Sequence, residues 1–221
     1  MKRMTSTANP SQVLEFQCQC GAIQGAVHET APPTGRRLVC HCNDCQAFAH
    51  YLGKEKLMLD DHAGTHVYQM DSSKFTINKG QDQLACVTVT GGPLLRWYCA
   101  TCKTPIANTL SSTRFAFLSL ILSGFDRGKT DALLGREVEH VAIPSGVGEL
   151  GKVRTANMPG MLWNLLVRTI KARFNPELKK SPLFDDTTGK PLAVPVKLEP
   201  AERLAIDEKA DIYREVLAEI K

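Results

Sequence analysis

Seven of the eight cysteines lie in three short clusters. The clusters are Cys18-Gln-Cys20, Cys40-His-Cys42-Asn-Asp-Cys45 and Cys99-Ala-Thr-Cys102. Cysteines this close in sequence are poorly placed to form disulfides with each other, whereas the same spacing directs several thiolates at one metal ion. The clusters therefore predict zinc binding. A redox pair or a disulfide is the alternative for the first and third clusters.

Seven ligands predict two zinc ions per chain rather than one. A closed structural zinc takes four protein ligands, whereas a catalytic zinc takes three and keeps one position for water or substrate. We expect a structural four-cysteine site from the two outer pairs, Cys18, Cys20, Cys99 and Cys102. We expect an open second site, with catalytic potential, from the central triad, Cys40, Cys42 and Cys45. The alternative for the triad is a closed zinc site whose fourth ligand is His41, His50 or Cys86.

The length of 221 residues, with 43% hydrophobic and 23% charged residues, is typical of a globular protein with its own core. No apolar run approaches the roughly 18–20 residues of a membrane-spanning helix, and the N-terminal segment lacks the apolar stretch of a secretory signal. Because thiols that bind zinc must stay reduced, we expect a cytoplasmic protein. The net charge of +4 is too small to predict nucleic acid binding.

Short apolar segments separated by turns predict a mainly β core. The predicted strands cover residues 13–16, 22–27, 56–59, 66–70, 75–78, 84–90, 94–98 and 115–122. The last of these is apolar at nearly every position, which is typical of a strand buried on both faces. Residues 47–53, after the triad, are interpreted as a short helical or irregular bridge.

After about residue 125 the composition changes, and two helices are predicted at residues 158–174 and 199–221. We expect four segments: a mobile leader (1–11), a zinc-binding β domain (12–130), a glycine-dense linker (131–157) and a helical C-terminal extension (158–221). The predicted fold class is therefore mainly β in the core and α+β overall. The basic segment 163–180 is interpreted as a helix with a solvated face, and a membrane surface or a partner protein is the alternative.

The cysteine clusters and their neighbours resemble the glutathione-dependent formaldehyde-activating enzymes, a family that includes centromere protein V. The matching stretches are Cys18-Gln-Cys20-Gly21, Cys40-His-Cys42-x-x-Cys45-Gln46 and Arg96-Trp-Tyr-Cys99-x-x-Cys102-Lys-Thr-Pro105. The resemblance spans about residues 12–130 and implies a zinc-pinned β-tent fold. Two positions differ. Lys103 replaces a usual glycine and is expected to adopt positive φ at some cost, and Gln46 replaces a common basic residue.

The resemblance also implies an activity. A thiol such as glutathione would bind the second zinc and attack formaldehyde or another small aldehyde, which is carbon–sulfur lyase chemistry. Our hypothesis is therefore a zinc-dependent enzyme with a small thiol and a small aldehyde as partners, and a homodimer is compatible with it. One alternative is a non-catalytic, zinc-stabilised binding module whose basic helical tail engages a partner or a membrane surface. Another is thiol redox chemistry through Cys86, as in related β-tent reductases.

Overall fold

Two β-sheets form the framework of a computed structural model that describes residues 12–29 and 33–220. The smaller sheet has three antiparallel strands in the order β1 (Gln12–Gln17), β2 (Gln24–Glu29) and β5 (Phe75–Lys79). Along β1 the side chains of Leu14 and Phe16 are buried while their neighbours are exposed, as the two-residue period of a strand requires. The predicted leader, residues 1–11, lies outside the described residues.

The larger sheet has eight strands. Their spatial order is β10 (Glu139–Val141), β3 (Arg36–Cys40), β4 (Thr65–Met70), β9 (Leu118–Ile121), β8 (Pro105–Leu110), β7 (Leu94–Cys99), β6 (Leu84–Thr88) and β11 (Val196–Lys197). Neighbouring strands run antiparallel except at the two edges, where β10 pairs with β3 and β11 pairs with β6 in parallel. Both edge strands come from the chain after residue 131.

Five α-helices occur in the described part of the chain. They are α1 (Asn43–Leu52), α2 (Glu55–Met58), α3 (Arg127–Leu134), α4 (Met158–Phe174) and α5 (Pro200–Glu219). α1 ends at Gly53, whose positive φ of 62° suits a residue without a side chain. α5 begins with a capping box between Glu199 and Glu202. None of the helices in the described residues combines the length and hydrophobicity that crossing a bilayer requires.

The larger sheet has a hydrophobic cluster on each face. The first cluster fills the space between the two sheets and contains Phe16, Phe75 and Trp97, whose indole N–H donates to Thr109 at 2.8 Å. The second cluster packs α1 and α5 against the sheet through residues such as Phe48 and Ile206. Both faces of the sheet are therefore covered, and the triad loop lies between β3 and α1.

The structure confirms a mainly β fold that is α+β overall and carries a C-terminal helix. The prediction of a strand at residues 56–59 is wrong, because these residues lie largely in α2, where the Leu59 amide donates to the Glu55 carbonyl. Four residues are too few for hydrophobic periodicity to separate helix from strand. The strand predicted at 115–122 is shorter, since only Leu118–Ile121 pairs in the sheet.

The segments predicted as linker and extension are built onto the larger sheet. Residues 131–157 contain β10 and the second half of α3, and residues 158–221 contain α4, β11 and α5. The predicted helices at 158–174 and 199–221 correspond to α4 and α5. The predicted division at residues 130 and 157 stays a prediction, because no independent finding marks a boundary there.

Candidate metal centres

The four-cysteine site joins two distant turns. Cys18 follows β1, Cys20 lies in the turn to β2, Cys99 ends β7 and Cys102 lies in the turn to β8. The four sulfur atoms lie within 4.8 Å of one another. The Cys18–Cys20 and Cys20–Cys99 sulfurs are 3.5 and 3.8 Å apart, close to the edge of about 3.8 Å of a tetrahedron with Zn–S bonds of about 2.3 Å.

Neighbouring polar groups in these turns contact the cysteine sulfur atoms. The Ile23 amide donates to the Cys18 sulfur at 3.2 Å, and the Thr104 hydroxyl lies 3.1 Å from the Cys102 sulfur. Burial opposes ionisation of Cys102, but its hydrogen bonds with Thr104 lower the pKa to about 6. Lys103 adopts the predicted positive φ, 59°, and its ammonium lies 5.0 Å from the centre of the Tyr98 ring.

The triad is assembled at the point where β3 passes into α1. Cys40 ends β3, Cys42 is the N-cap of α1 and Cys45 lies in its first turn, where its amide donates to the Cys42 carbonyl. The three sulfur atoms lie within 4.8 Å of one another, and those of Cys40 and Cys42 are 3.4 Å apart. A helix N-terminus favours negative charge, so this position stabilises thiolates.

Arg96 of β7 lies beneath the triad. Its side chain is only 2% exposed, and its guanidinium contacts the Cys45 sulfur at 3.7 Å and the Asn108 amide oxygen at 3.4 Å. Hydrogen bonds from the Cys40 and Cys42 thiols, together with Arg96, hold the pKa of Cys45 well below its usual range. The triad therefore combines a favoured thiolate with a buried positive charge.

None of the three residues weighed as a fourth ligand adds a ligand atom to the triad. Both ring nitrogens of His41 have partners, the His62 carbonyl oxygen and His140 Nδ1, each at 3.1 Å. The His50 ring packs edge-on against Tyr213, and its buried Nε2 has no hydrogen-bond partner among the described residues. Cys86 is buried in the hydrophobic cluster that lies between the two sheets. Among the described residues, no His, Cys, Asp or Glu adds a ligand atom to the triad.

Cys86 is also poorly suited to redox chemistry. Burial raises its pKa to about 12, which keeps it as a thiol, and the thiolate is the reactive form. All eight cysteines are free. The sulfur separations given above for both clusters exceed the roughly 2 Å of a disulfide bond. The donor set and its spacing therefore fit two metal ions, and soft thiolate ligands fit zinc.

α5 brings two arginines to the triad loop. Arg203 donates to Asp44 at 2.9 Å, and Arg214 donates to the Gln46 side-chain oxygen at 2.6 Å. The Gln46 amide nitrogen in turn donates to the carbonyl oxygens of His41 and Ser145. Gln46 stands where the family resemblance implies a basic residue, and the Arg214 guanidinium lies beside it.

Sequence reasoning did not assign roles to Arg96, His140, Arg203 and Arg214. Arg96 lies three residues before Cys99, within a stretch that carries the family resemblance, and this position could have indicated a role at a metal site. The other three are distant in sequence, since Arg214 lies 168 residues from Gln46. No local pattern around them indicates that they meet the triad.

A separate cleft of about 280 Å³ contains no residue of either cysteine cluster. Its walls include Arg37, Phe125 and a pair formed by His66 Nε2 and an Asp60 carboxylate oxygen at 3.1 Å. Burial opposes ionisation of Asp60, but hydrogen bonds from His66 and two backbone amides lower its pKa to about 2. His62 instead contacts the Val147 carbonyl oxygen at 2.7 Å.

Comparisons with known proteins give a family but no activity. A family model described as "Family of unknown function (DUF6151)" matches residues 10–193. No curated protein matches the chain. A crystal structure of a Rhodobacter sphaeroides protein, a structural genomics target, is similar at 16% identity with a TM-score of 0.36. The similarity covers 52% of this chain and 89% of that one, and it is too weak to carry an argument.

Proposed function

Because the chain belongs to DUF6151, a family of unknown function, we propose its activity from the geometry of its cysteines. We propose a zinc-dependent carbon–sulfur lyase that adds a thiol, such as glutathione, to formaldehyde or another small aldehyde. The family resemblance of the three cysteine stretches supports this reaction. Zinc is the proposed cofactor at the four-cysteine site and at the triad, and the thiol is the co-substrate at the triad.

The triad is the observation that carries the proposal. Three sulfur atoms converge, and the described residues supply no fourth His, Cys, Asp or Glu ligand. Cys40 and Cys42 are partly exposed, whereas Cys45 is buried. A ligand from solution can therefore approach the side of the cluster formed by Cys40 and Cys42.

A bound zinc ion would supply a Lewis acid that lowers the pKa of a coordinated substrate thiol. The chain itself supplies the charges around it. The guanidinium of Arg96 lies 3.7 Å from the Cys45 sulfur, where it offsets the negative charge of the ligands. Arg214, which also pairs with Asp211, places a guanidinium beside Gln46, where it can contribute to holding an anionic thiol such as glutathione.

The reaction balances without an external oxidant or reductant. The sulfur lone pair forms a bond to the carbonyl carbon, and the π pair of the C=O bond moves to oxygen. The proton released by the thiol ends on that oxygen. The product is a hydroxymethyl thioether, and the reverse reaction releases aldehyde and thiol.

The experiment measures the exchange rate between formaldehyde and S-hydroxymethylglutathione by NMR, with and without protein. Because the two react spontaneously, the readout is acceleration above the rate without protein. We expect acceleration by the wild type and none by Cys42→Ser, whose bound zinc is counted in parallel by native mass spectrometry. Cys86→Ala is the matched control, since it removes a cysteine outside both clusters. No acceleration by the wild type, or full acceleration by Cys42→Ser, contradicts the proposal.

The second candidate is a zinc-stabilised binding module without catalysis. The exposed apolar side chains of α4, among them Trp163 and Phe174, favour it. For this candidate, the wild type binds two zinc ions, forms no adduct with glutathione and does not accelerate the exchange. The same NMR and mass measurements therefore separate the two candidates.

A further inference from the structure

Helix α4 has two apolar faces, and only one of them is packed. Ala172 is its one buried residue, with Met161 and Leu165 half-buried on the same side. A second set recurs every four residues on the opposite, exposed side, with Trp163 beside it: Leu162, Leu166, Ile170 and Phe174. Leu162, Trp163 and Phe174 are 63%, 64% and 83% exposed.

This arrangement differs from the scattered apolar residues of an ordinary protein surface. Single exposed leucines are common, but a contiguous apolar stripe marks an interaction site. A helix of 17 residues is about 25 Å long. The stripe follows most of that length, from Leu162 to Phe174.

Positive charge gathers at the C-terminal end of the stripe. A cleft of about 580 Å³ is lined by Arg114, Phe115, Thr169, Arg173 and Lys179. None of its three cationic side chains forms an ion pair within the described residues. Phe115, on the same cleft, is itself exposed. The cleft therefore joins three unpaired cations to an apolar rim.

We propose that α4 lies on an anionic membrane surface. Its apolar stripe would enter the boundary between headgroups and acyl chains, and Arg114, Arg173 and Lys179 would hold a lipid phosphate. Residues 158–180 carry five basic residues and one acidic residue, Glu177, which complements an anionic leaflet. Tryptophan is enriched at the membrane interface.

Two lysines argue against a protein partner as the occupant. Lysine is depleted from protein–protein interfaces, whereas Lys171 flanks the stripe and Lys179 lines the cleft at its end. The inference does not depend on the proposed thiol chemistry, because none of these residues belongs to a cysteine cluster. A protein active on aldehydes and a binding module could both use this surface.

The experiment is co-sedimentation of the full chain with vesicles of phosphatidylcholine alone or with about 30% phosphatidylserine. We expect binding only to the anionic vesicles, with a blue shift of tryptophan fluorescence. The fluorescence shift reports on Trp163, because Trp97 is fully buried in the hydrophobic cluster between the two sheets. Trp163→Phe should lose most of the shift and keep most of the binding.

Two variants separate the roles of the stripe and the cleft. Leu166→Glu with Ile170→Glu should weaken binding about tenfold or more by placing charge in the apolar face. Arg173→Gln with Lys179→Gln should weaken it about 30-fold, since each basic residue contributes about 1 kcal/mol near an anionic surface. Val194→Glu, at an exposed apolar residue outside α4, is the control and should bind like the wild type.

Unchanged melting temperatures and zinc content will show that the variants are folded. Three results overturn the proposal: equal binding to neutral and anionic vesicles, no binding to either, and stripe variants that bind like the wild type. Analytical ultracentrifugation tests the competing occupant, a second copy of the chain. A dimer that Leu166→Glu dissociates, without vesicle binding by the wild type, assigns the stripe to self-association instead.

Discussion

Replacing Arg96 with methionine should selectively weaken metal binding at the triad. Three thiolates around a divalent ion leave roughly one excess negative charge in a mostly buried site. The guanidinium of Arg96, whose side chain is 2% exposed, is the positive charge nearest to Cys45 at 3.7 Å. Methionine keeps much of the volume and removes the charge, so Arg96→Met isolates the electrostatic contribution.

The expected magnitude follows from the distance. Two unit charges 3.7 Å apart attract by about 4.5 kcal/mol at an effective dielectric constant of about 20. Removing one partner of a buried pair costs about 3–5 kcal/mol in measured cases, which agrees with that value. Since about 1.4 kcal/mol is a factor of ten in affinity, the dissociation constant of zinc at the triad should rise by about two to three orders of magnitude.

The assay is competition for zinc with a chromophoric chelator, combined with native mass spectrometry to count ions per chain. The four-cysteine site serves as an internal reference, because the Arg96 guanidinium contacts a sulfur of the triad and none of the four-cysteine site. We expect one zinc to be lost at chelator concentrations that leave both ions in the wild type. Arg96→Lys keeps the charge and should fall between the wild type and Arg96→Met.

Arg154→Met controls for the loss of an arginine at the surface, since Arg154 is 65% exposed and pairs with Glu137 and Glu139. It should leave both zinc affinities unchanged. Equal affinity at the triad in the wild type and Arg96→Met would refute the electrostatic reasoning. Loss of both zinc ions together would contradict the predicted selectivity for the triad.

Three further predictions concern stability. Cys102→Ser should remove one zinc and lower the melting temperature by about 10 °C, more than Cys42→Ser does, because the four-cysteine site joins turns 79 residues apart. Burial opposes ionisation of Glu29, but hydrogen bonds from Lys74 and other donors hold its pKa below the usual 4.5. The Glu29 carboxylate therefore adds to the free energy of unfolding above about pH 4.5, and this stabilisation is lost as the pH falls further. Glu29→Gln should lower the free energy of unfolding by about 2–3 kcal/mol at neutral pH. It should also make the melting temperature less dependent on pH in this acidic range. Urea titration should show that Lys103→Val lowers the free energy of unfolding by about 1–2 kcal/mol, because a β-branched residue fits positive φ poorly. Lys103→Asn should leave the free energy of unfolding nearly unchanged.

The ligand clusters are predictable from the sequence because their geometry is local. In each of the three cysteine stretches a segment of three to six residues fixes the direction of the sulfur atoms, so spacing alone indicates a metal site. The mainly β core is predictable for a similar reason, since alternation in stretches such as β1 reflects the strand itself. The positive φ of Lys103 follows from the same local turn.

The surroundings of the triad are not predictable in this way. His140 belongs to a three-residue strand, too short for any periodic signal, and reaches His41 only through the parallel pairing of β10 with β3. Arg214 meets Gln46 because α5 packs on α1. Along α5 the apolar side chains of Leu204 and Ile212 are exposed, whereas Ile206 packs on the core. Tertiary packing decides which of two apolar faces is buried.

The charges of the two clusters also distinguish their roles. With zinc bound, four thiolates leave roughly two excess negative charges, and three leave roughly one. The more highly charged cluster includes the exposed Cys20, where water can screen the excess. The less charged cluster includes the buried Cys45, where water cannot, and there Arg96 supplies the compensating charge. The Asp44 carboxylate also lies 4.0 Å from the Arg96 guanidinium, so the triad is not fully neutralised. With fewer excess charges and Arg96 beside it, the triad should still repel an incoming thiolate less than the four-cysteine site does, so an anionic thiol should be selected for the triad.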